Sequence, residues 1–273
     1  MLSRCLELDA RCYYIYMDLK SRITWIDVAR GIGIILVIYG HALDANSIRH
    51  LIYAFHMPLF FFLSGIVFHH KKEDRFVPFL KKNVRSILIP YFIFAFITWF
   101  WWIFEANTMS FKIGLDQFLS IFYGNGADGM LRFDNVLWFL PCLFVARIMF
   151  YFVTKYSQYN RRRIAAALIG FSIFGYGIAQ LFPNLALPFG IEIALTGIVY
   201  LGVGYLWNTQ TEYWKEKFHK HSKYIFAASL TLCLIIAQLN FQISGYHIDF
   251  RINRYDNYFL FYTAAFSGIL STL

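Results

Sequence analysis

Long apolar runs alternate with short polar segments along almost the whole chain. A bilayer core of about 30 Å needs about 20 apolar residues for each helix that crosses it. The runs predict eight spanning helices, at about 28–45, 51–69, 86–105, 135–153, 164–182, 188–207, 223–239 and 257–273. The pattern therefore indicates an all-α, polytopic transmembrane helix bundle.

The composition fits a protein embedded in a lipid bilayer. The 273 residues are 59% hydrophobic and 15% charged, whereas about a quarter of the residues in a soluble domain are charged. The net charge of +9 could indicate nucleic acid, but the basic residues form short clusters between apolar runs and not one basic face. We therefore expect no nucleic-acid partner and no separate soluble catalytic domain.

Lysine and arginine concentrate in every second loop, which predicts the orientation of the chain. The loops after the second, fourth and sixth predicted helices contain most of them: Lys71, Lys72, Arg75, Lys81, Lys82, Arg85, Lys155, Arg161, Arg162, Arg163, Lys215, Lys217, Lys220 and Lys223. Cytoplasmic loops carry such an excess. The pattern predicts a cytosolic N-terminus in the cytoplasmic (inner) membrane, with a cytosolic segment 1–22 before a membrane domain 23–273. Met17 is an alternative start, which would make the preceding residues an upstream extension.

The first predicted helix begins near Arg30 and ends near His41, eleven residues later. This spacing is almost a whole number of helical turns, so both side chains share one face. The second helix runs back, and His56 should reach the depth of His41, so that two imidazoles share a cavity. Histidine titrates near neutrality and serves as a general base, whereas arginine does not. The alternatives are an interfacial anchor for Arg30 and helix packing for both histidines, with Pro58 as a kink.

Other ionisable residues lie at or inside the apolar runs. Lys82 and Arg85 should lie near the level of Arg30, where three cations would suit a phosphate-rich ligand, although positive-inside bias alone also explains Lys82. Arg147 lies among apolar neighbours. Glu192 either pairs with a cation or histidine on another helix or lies at the outer boundary. Such groups indicate function because a charge inside a bilayer is costly.

Two predicted outward loops, 106–134 and 240–256, are longer than a helix connection needs. They contain aromatic, carboxamide and carboxylate side chains, which suit a polar, hydroxyl-rich ligand. The alternative is that they are solvated loops at an aromatic interface belt.

Taken together, these motifs resemble the membrane acyltransferase family 3, whose members transfer acyl groups to sugars of surface glycans. The resemblance lies in Asp27 to Gly31, the Arg30–His41 spacing, Phe55 to Gly65, the basic turn before Pro90, and Leu137 to Pro141. It is greatest with the fucose 4-O-acetylase-like branch. Members of the family have more helices than the eight predicted here, so the domain is expected to lack its last helices.

The resemblance implies that the chain is an integral-membrane O-acyltransferase. Acetyl-CoA, or another acyl-CoA, would be the donor substrate, with no permanently bound cofactor, and a cell-surface sugar or glycan would be the acceptor. His41 would be the catalytic histidine, with Arg30 as its motif partner. Lys82 and Arg85, the counterpart of two paired arginines in the family with a lysine in the first position, would bind the donor. We also expect Arg147, from its place among apolar neighbours, to bind the donor. We expect four further residues either to lie on the acceptor side or to support the catalytic residues: His56, Asp27, Glu192 and Trp138.

Two further interpretations stay open. The same buried ionisable groups could form the binding site of a transporter for a polar solute, although the chain shows no convincing internal repeat. The chain could also be an inactive, truncated fragment of an acyltransferase. No metal site is expected, because the four cysteines lack the spacing of a ligand set.

Overall fold

The computed structural model describes residues 24–42, 47–69, 75–105, 111–209, 218 and 220–273. These residues form a helical structure without strands. Its helices are α1 (Thr24–Ala42), α2 (Ser47–Ile66), α3 (Phe76–Asn83), α4 (Ile89–Glu105), α5 (Phe111–Tyr123), α6 (Phe139–Tyr156), α7 (Arg161–Leu181), α8 (Ile191–Asn208), α9 (Ser222–Ser244) and α10 (Tyr258–Leu270). Each of the eight predicted segments coincides with a helix, which confirms the all-α membrane bundle.

Six helical segments of the described chain are long and apolar enough to cross a bilayer. They are Thr24–Ala42, Phe76–Glu105, Asn135–Tyr156, Arg161–Leu181, Pro188–Asn208 and Ser222–Ser244. Helix α2 carries Arg49, His50, His56 and Pro58 and is not one of the six, and α10 is a shorter apolar helix of 13 residues. The count of eight spans and the cytosolic N-terminus therefore stay predictions.

Helices α3 and α4 form one continuous segment through a π-helical turn at Val84–Leu88. Pro90 provides a reason for this turn, because it has no N–H to donate to Ser86 and its ring would crowd that carbonyl in a regular α-helix. The N–H of Ile89 instead bonds to the carbonyl of Val84, five residues earlier. The helix begins at Phe76, ten residues before the predicted start at 86.

The prediction of a continuous loop at 106–134 was wrong, because residues 111–123 form α5. This helix packs along α4, where the Tyr91 hydroxyl donates to the Ile121 carbonyl (2.6 Å) and the Trp99 indole donates to the Gly114 carbonyl (3.2 Å). Its buried face includes Gln117, whereas its exposed face carries large apolar residues: Phe111, Leu115, Leu119 and Phe122. That pattern is typical of a helix lying at a membrane interface.

Helices α2 and α8 form the buried centre of the bundle, flanked by α6 and α7 on α8 and by α1, α9 and α10 on α2. Their backbones touch at two glycines. A Cβ on Gly65 would collide with the Leu201 carbonyl, and a Cβ on Gly204 would collide with the Phe62 carbonyl. Small residues permit such close approach between membrane helices, and Gly65 and Gly204 provide it here.

Candidate functional site

A small cavity of about 130 Å³ lies between α1, α2, the 3₁₀ turn Asn135–Trp138 and the 3₁₀ turn Phe250–Ile252. We call it the histidine cavity because His41 and His56 both line it, together with Trp138. The expectation that two imidazoles share one cavity is confirmed, whereas their chemical roles stay predictions.

His56 is held in one tautomer by its own helix. It is 5% exposed, and its Nδ1 lies 2.8 Å from the Ile52 carbonyl, one turn earlier. Because a carbonyl only accepts, Nδ1 carries the proton, and Nε2 is the nitrogen with the free lone pair in neutral imidazole.

Tyr53 lines the histidine cavity and was not singled out from the sequence. Its ring centroid is 6.1 Å from that of His41, 5.1 Å from that of His56 and 4.8 Å from that of His247. The ring fits against α1 because Gly40 has no side chain; a Cβ there would lie 3.0 Å from the Tyr53 ring. Gly40 and Tyr53 together therefore fix where His41 lies relative to α2.

Arg30 and Asp27 lie on the same helix as His41 but nearer its start. They form an ion pair at 3.4 Å, and their side chains are 43% and 36% exposed. At 1.5 Å per residue, Arg30 lies about 16 Å along the helix from His41. Val37 lies seven residues after Arg30 and four before His41, and it lines the histidine cavity. Because residues at these spacings lie on one side of a helix, Arg30, Val37 and His41 share a face of α1. Neither member of the ion pair lines the histidine cavity.

The predicted donor-binding residues divide into an exposed pair and a buried residue. Lys82, at the end of α3, and Arg85, in the π turn, are exposed. Arg147 donates through Nε to Asn83 Oδ1 (2.6 Å) and through Nη1 to Ser64 Oγ (2.7 Å). Arg147 therefore connects α2, α3 and α6. Its partner in α3, Asn83, directly follows Lys82 in the sequence.

A larger cavity of about 660 Å³ lies among the loops after α5, α7 and α9, and we call it the loop cavity. Glu192, at the start of α8, lines it and is 2% exposed. Its carboxylate accepts hydrogen bonds from Asn125 Nδ2 (2.8 Å) and from the Leu187 N–H (3.0 Å). These partners are neutral, and among the described residues no cation or histidine bonds to the Glu192 carboxylate. The position of Glu192 at the outer boundary stays a prediction.

Arg251 lines both cavities. Its guanidinium donates to the carbonyl of Gly126 and to the carboxylates of Asp128 (3.3 Å) and Asp249 (3.4 Å). Beside it, the Phe250 ring stacks on Trp138. Arg251 and Asp249 were not predicted as site residues, although the long polar loop 240–256 was the signal that could have identified them.

Burial shifts the titration of groups in the loops near the two cavities. It raises the pKa of Asp134 above its ordinary value, although a hydrogen bond from the Val136 N–H acts in the opposite direction and lowers that pKa. Burial also raises the pKa of Asp256. Burial lowers the pKa of His247, with a smaller opposing effect from Asp249.

The comparisons with known proteins identify the family. A family model described as an acyltransferase domain, that of acyltransferase family 3, matches residues 23–273. The chain belongs to this family. No curated protein and no solved structure matches the chain.

Membership in this membrane acyltransferase family implies an acyl donor and an acceptor, and the apolar helices imply a lipid bilayer. Within the described part of the acyltransferase, no group of three or more His, Cys, Asp or Glu side chains is arranged to hold a metal ion. The histidine cavity is lined by imidazole, guanidinium, carboxylate and hydroxyl groups.

Proposed function

We propose that this acyltransferase transfers an acetyl group from acetyl-CoA to a hydroxyl of a cell-surface sugar or glycan, in the cytoplasmic membrane. The observation that carries the proposal is the adjacency of the two cavities. His41 and His56 line the smaller one, and Arg251 separates it from a larger polar cavity built from three loops.

In the proposed reaction, His41 acts as a general base. It removes the proton of the acceptor hydroxyl while the oxygen attacks the thioester carbonyl. The new C–O ester bond forms, the C–S bond breaks, and the proton finally passes to the sulfur of coenzyme A. His56, with Nε2 as its free nitrogen, supports this proton transfer from the neighbouring helix.

The donor is proposed to bind at the end of the bundle that carries Arg30, Lys82 and Arg85. Exposed cations attract the phosphates of coenzyme A, and arginine adds bidentate hydrogen bonds that lysine lacks. Arg147 supports this region through Asn83, directly after Lys82. Asp27 orients Arg30 by their ion pair.

The acceptor is proposed to bind in the loop cavity and to reach His41 past Arg251. Glu192, Asn125 and Asp256 line the loop cavity, so it offers the carboxylate and carboxamide groups that bind hydroxyls. Trp138 forms the wall of the histidine cavity, where an aromatic face suits the apolar face of a sugar ring.

The test is transfer of labelled acetyl-CoA by the purified protein in lipid nanodiscs. We expect His41→Ala to lower the rate by about 10²–10⁴-fold, the range contributed by general acid–base catalysis. His221→Ala is the matched control, because His221 is exposed and lies before α9, at the opposite end from the histidine cavity. Equal rates for the wild type and His41→Ala would exclude His41 from the mechanism.

Uptake of a polar solute into liposomes without acyl donor would instead support a transporter.

A further inference from the structure

Arg251 is fixed at the junction of the two cavities by contacts from two loops. Its side chain is 21% exposed. Gly126 and Asp128, before α6, bind it from one side, and Asp249, two residues earlier in its own loop, binds it from the other. Arg251 lines both cavities, so its guanidinium lies between the loop cavity and His41.

The charged groups in contact at the junction carry one net negative charge. Two carboxylates, Asp128 and Asp249, contact the single guanidinium of Arg251. The junction therefore has no excess positive charge to attract a phosphate or a carboxylate ligand. It presents N–H donors beside oxygen acceptors in a fixed arrangement. A hydroxyl both donates and accepts, so two adjacent hydroxyls match this arrangement.

We propose that Arg251, together with Asp128, binds the hydroxyl next to the one that is acylated, and thereby selects an uncharged vicinal diol of a sugar ring. This inference rests on the proposed function and specifies the class of acceptor. Asp249 holds the guanidinium from the side of the histidine cavity, which it also lines.

Asp128 can be changed without disturbing the fold, and Arg254 provides a matched control. The Asp128 side chain is 85% exposed, so Asp128→Asn removes its charge without opening the core. Arg254 lies in the same loop and lines only the loop cavity, where its guanidinium lies over the Tyr246 ring at 4.8 Å.

The experiment measures acetyl transfer to methyl fucopyranoside and to each of its monodeoxy analogues. A hydrogen bond to a charged group contributes about 1.5–3 kcal/mol, so the wild type should prefer the parent over one deoxy analogue by roughly 10- to 150-fold in kcat/KM. Asp128→Asn and Arg251→Lys should reduce that ratio towards one. Arg254→Ala should keep the ratio, whatever its effect on the overall rate.

The ratio distinguishes recognition from a merely structural role. If both variants fold and slow all acceptors equally, Arg251 only holds the loops and the inference is overturned. Hydrolysis of acetyl-CoA without acceptor, compared between the wild type and His41→Ala, reports the donor chemistry separately. If this hydrolysis depends on His41 but none of the sugars is acetylated, the diol inference fails and the proposed donor chemistry stands. If the wild type neither hydrolyses nor transfers, the proposed function itself fails.

Discussion

At the scale of single residues, Arg147 shows how a bilayer-length helix accommodates a charge. The guanidinium cannot be left without partners in a low-dielectric environment. It binds Asn83 and Ser64, and it lies over the Phe68 ring at 5.2 Å. Asn83 is 1% exposed and donates its own amide to the Phe79 carbonyl. Its side chain is therefore oriented to present an oxygen to Arg147.

We predict that Asn83→Ala destabilises the protein by about 1.5–3 kcal/mol, because the charged donor at Arg147 loses its acceptor. The measurement is the midpoint Tm of thermal unfolding in detergent, which should fall by several degrees. Asn184→Ala is the control, because Asn184 is exposed in the loop after α7. The same Asn83 change in an Arg147→Met background should cost clearly less, since the donor is then absent. Additive losses in the double variant would show that the pair does not interact.

The sequence predicted some members of the site and missed others for a physical reason. Helical spacing determines which side of α1 carries His41, and the reversal into α2 determines the depth of His56. Arg251 contacts Gly126 across 125 residues, and Arg147 contacts Ser64 across 83. Such long-range pairs depend on how loops and helices pack against one another, and the pattern of a single sequence does not show which distant residues will meet.

At the scale of helices and turns, hydropathy predicted eight helical segments, including the 13-residue α10, but it did not predict α5. The buried face of α5 includes Gln117 and Ser120, whereas its exposed side carries large apolar residues, so its sequence is not one continuous apolar run. A search for spanning runs therefore passes over it. The π turn at Val84–Leu88 was also unpredicted, although Pro90 was the signal.

The crossing of α2 and α8 provides a prediction at this scale. Gly65→Ala places a methyl group against the Leu201 backbone carbonyl, which cannot move as a flexible side chain can. We expect a loss of about 1–3 kcal/mol or more, as for other overpacked cores, measured as a lower Tm.

Gly170→Ala is the matched helical control for this crossing. Gly170 lies within α7, and a Cβ there has nothing within 4 Å. It should be neutral or stabilise the helix by about 0.5–1 kcal/mol, since alanine favours helix. Equal effects of the two substitutions would show that the backbones of α2 and α8 do not meet as described.

At the scale of the whole molecule, the two ends of the bundle differ in chemistry. The loops after α5, α7 and α9 enclose the loop cavity. The opposite end carries the exposed basic residues, including Lys82, Arg85, Arg161, Arg162 and Arg163. A reaction that takes a phosphate-rich donor from one compartment and a sugar from the other requires this separation. The orientation of the bundle is therefore part of the proposed mechanism.

We predict that the basic end faces the cytosol, because cytoplasmic loops carry the excess of lysine and arginine. Single cysteines at exposed loop positions test this in a cysteine-free background, with a membrane-impermeant maleimide added to intact cells. Asn184→Cys, at the loop-cavity end, should be labelled in intact cells, whereas Gln158→Cys, between α6 and α7, should be labelled only after permeabilisation. Of the four natural cysteines, all of which are replaced, Cys142 and Cys233 are buried and free, so their replacement by serine or alanine requires a check that Tm is retained. The reverse labelling would place Lys82 and Arg85 outside, where coenzyme A is not supplied, and the donor would then have to enter through the loop cavity.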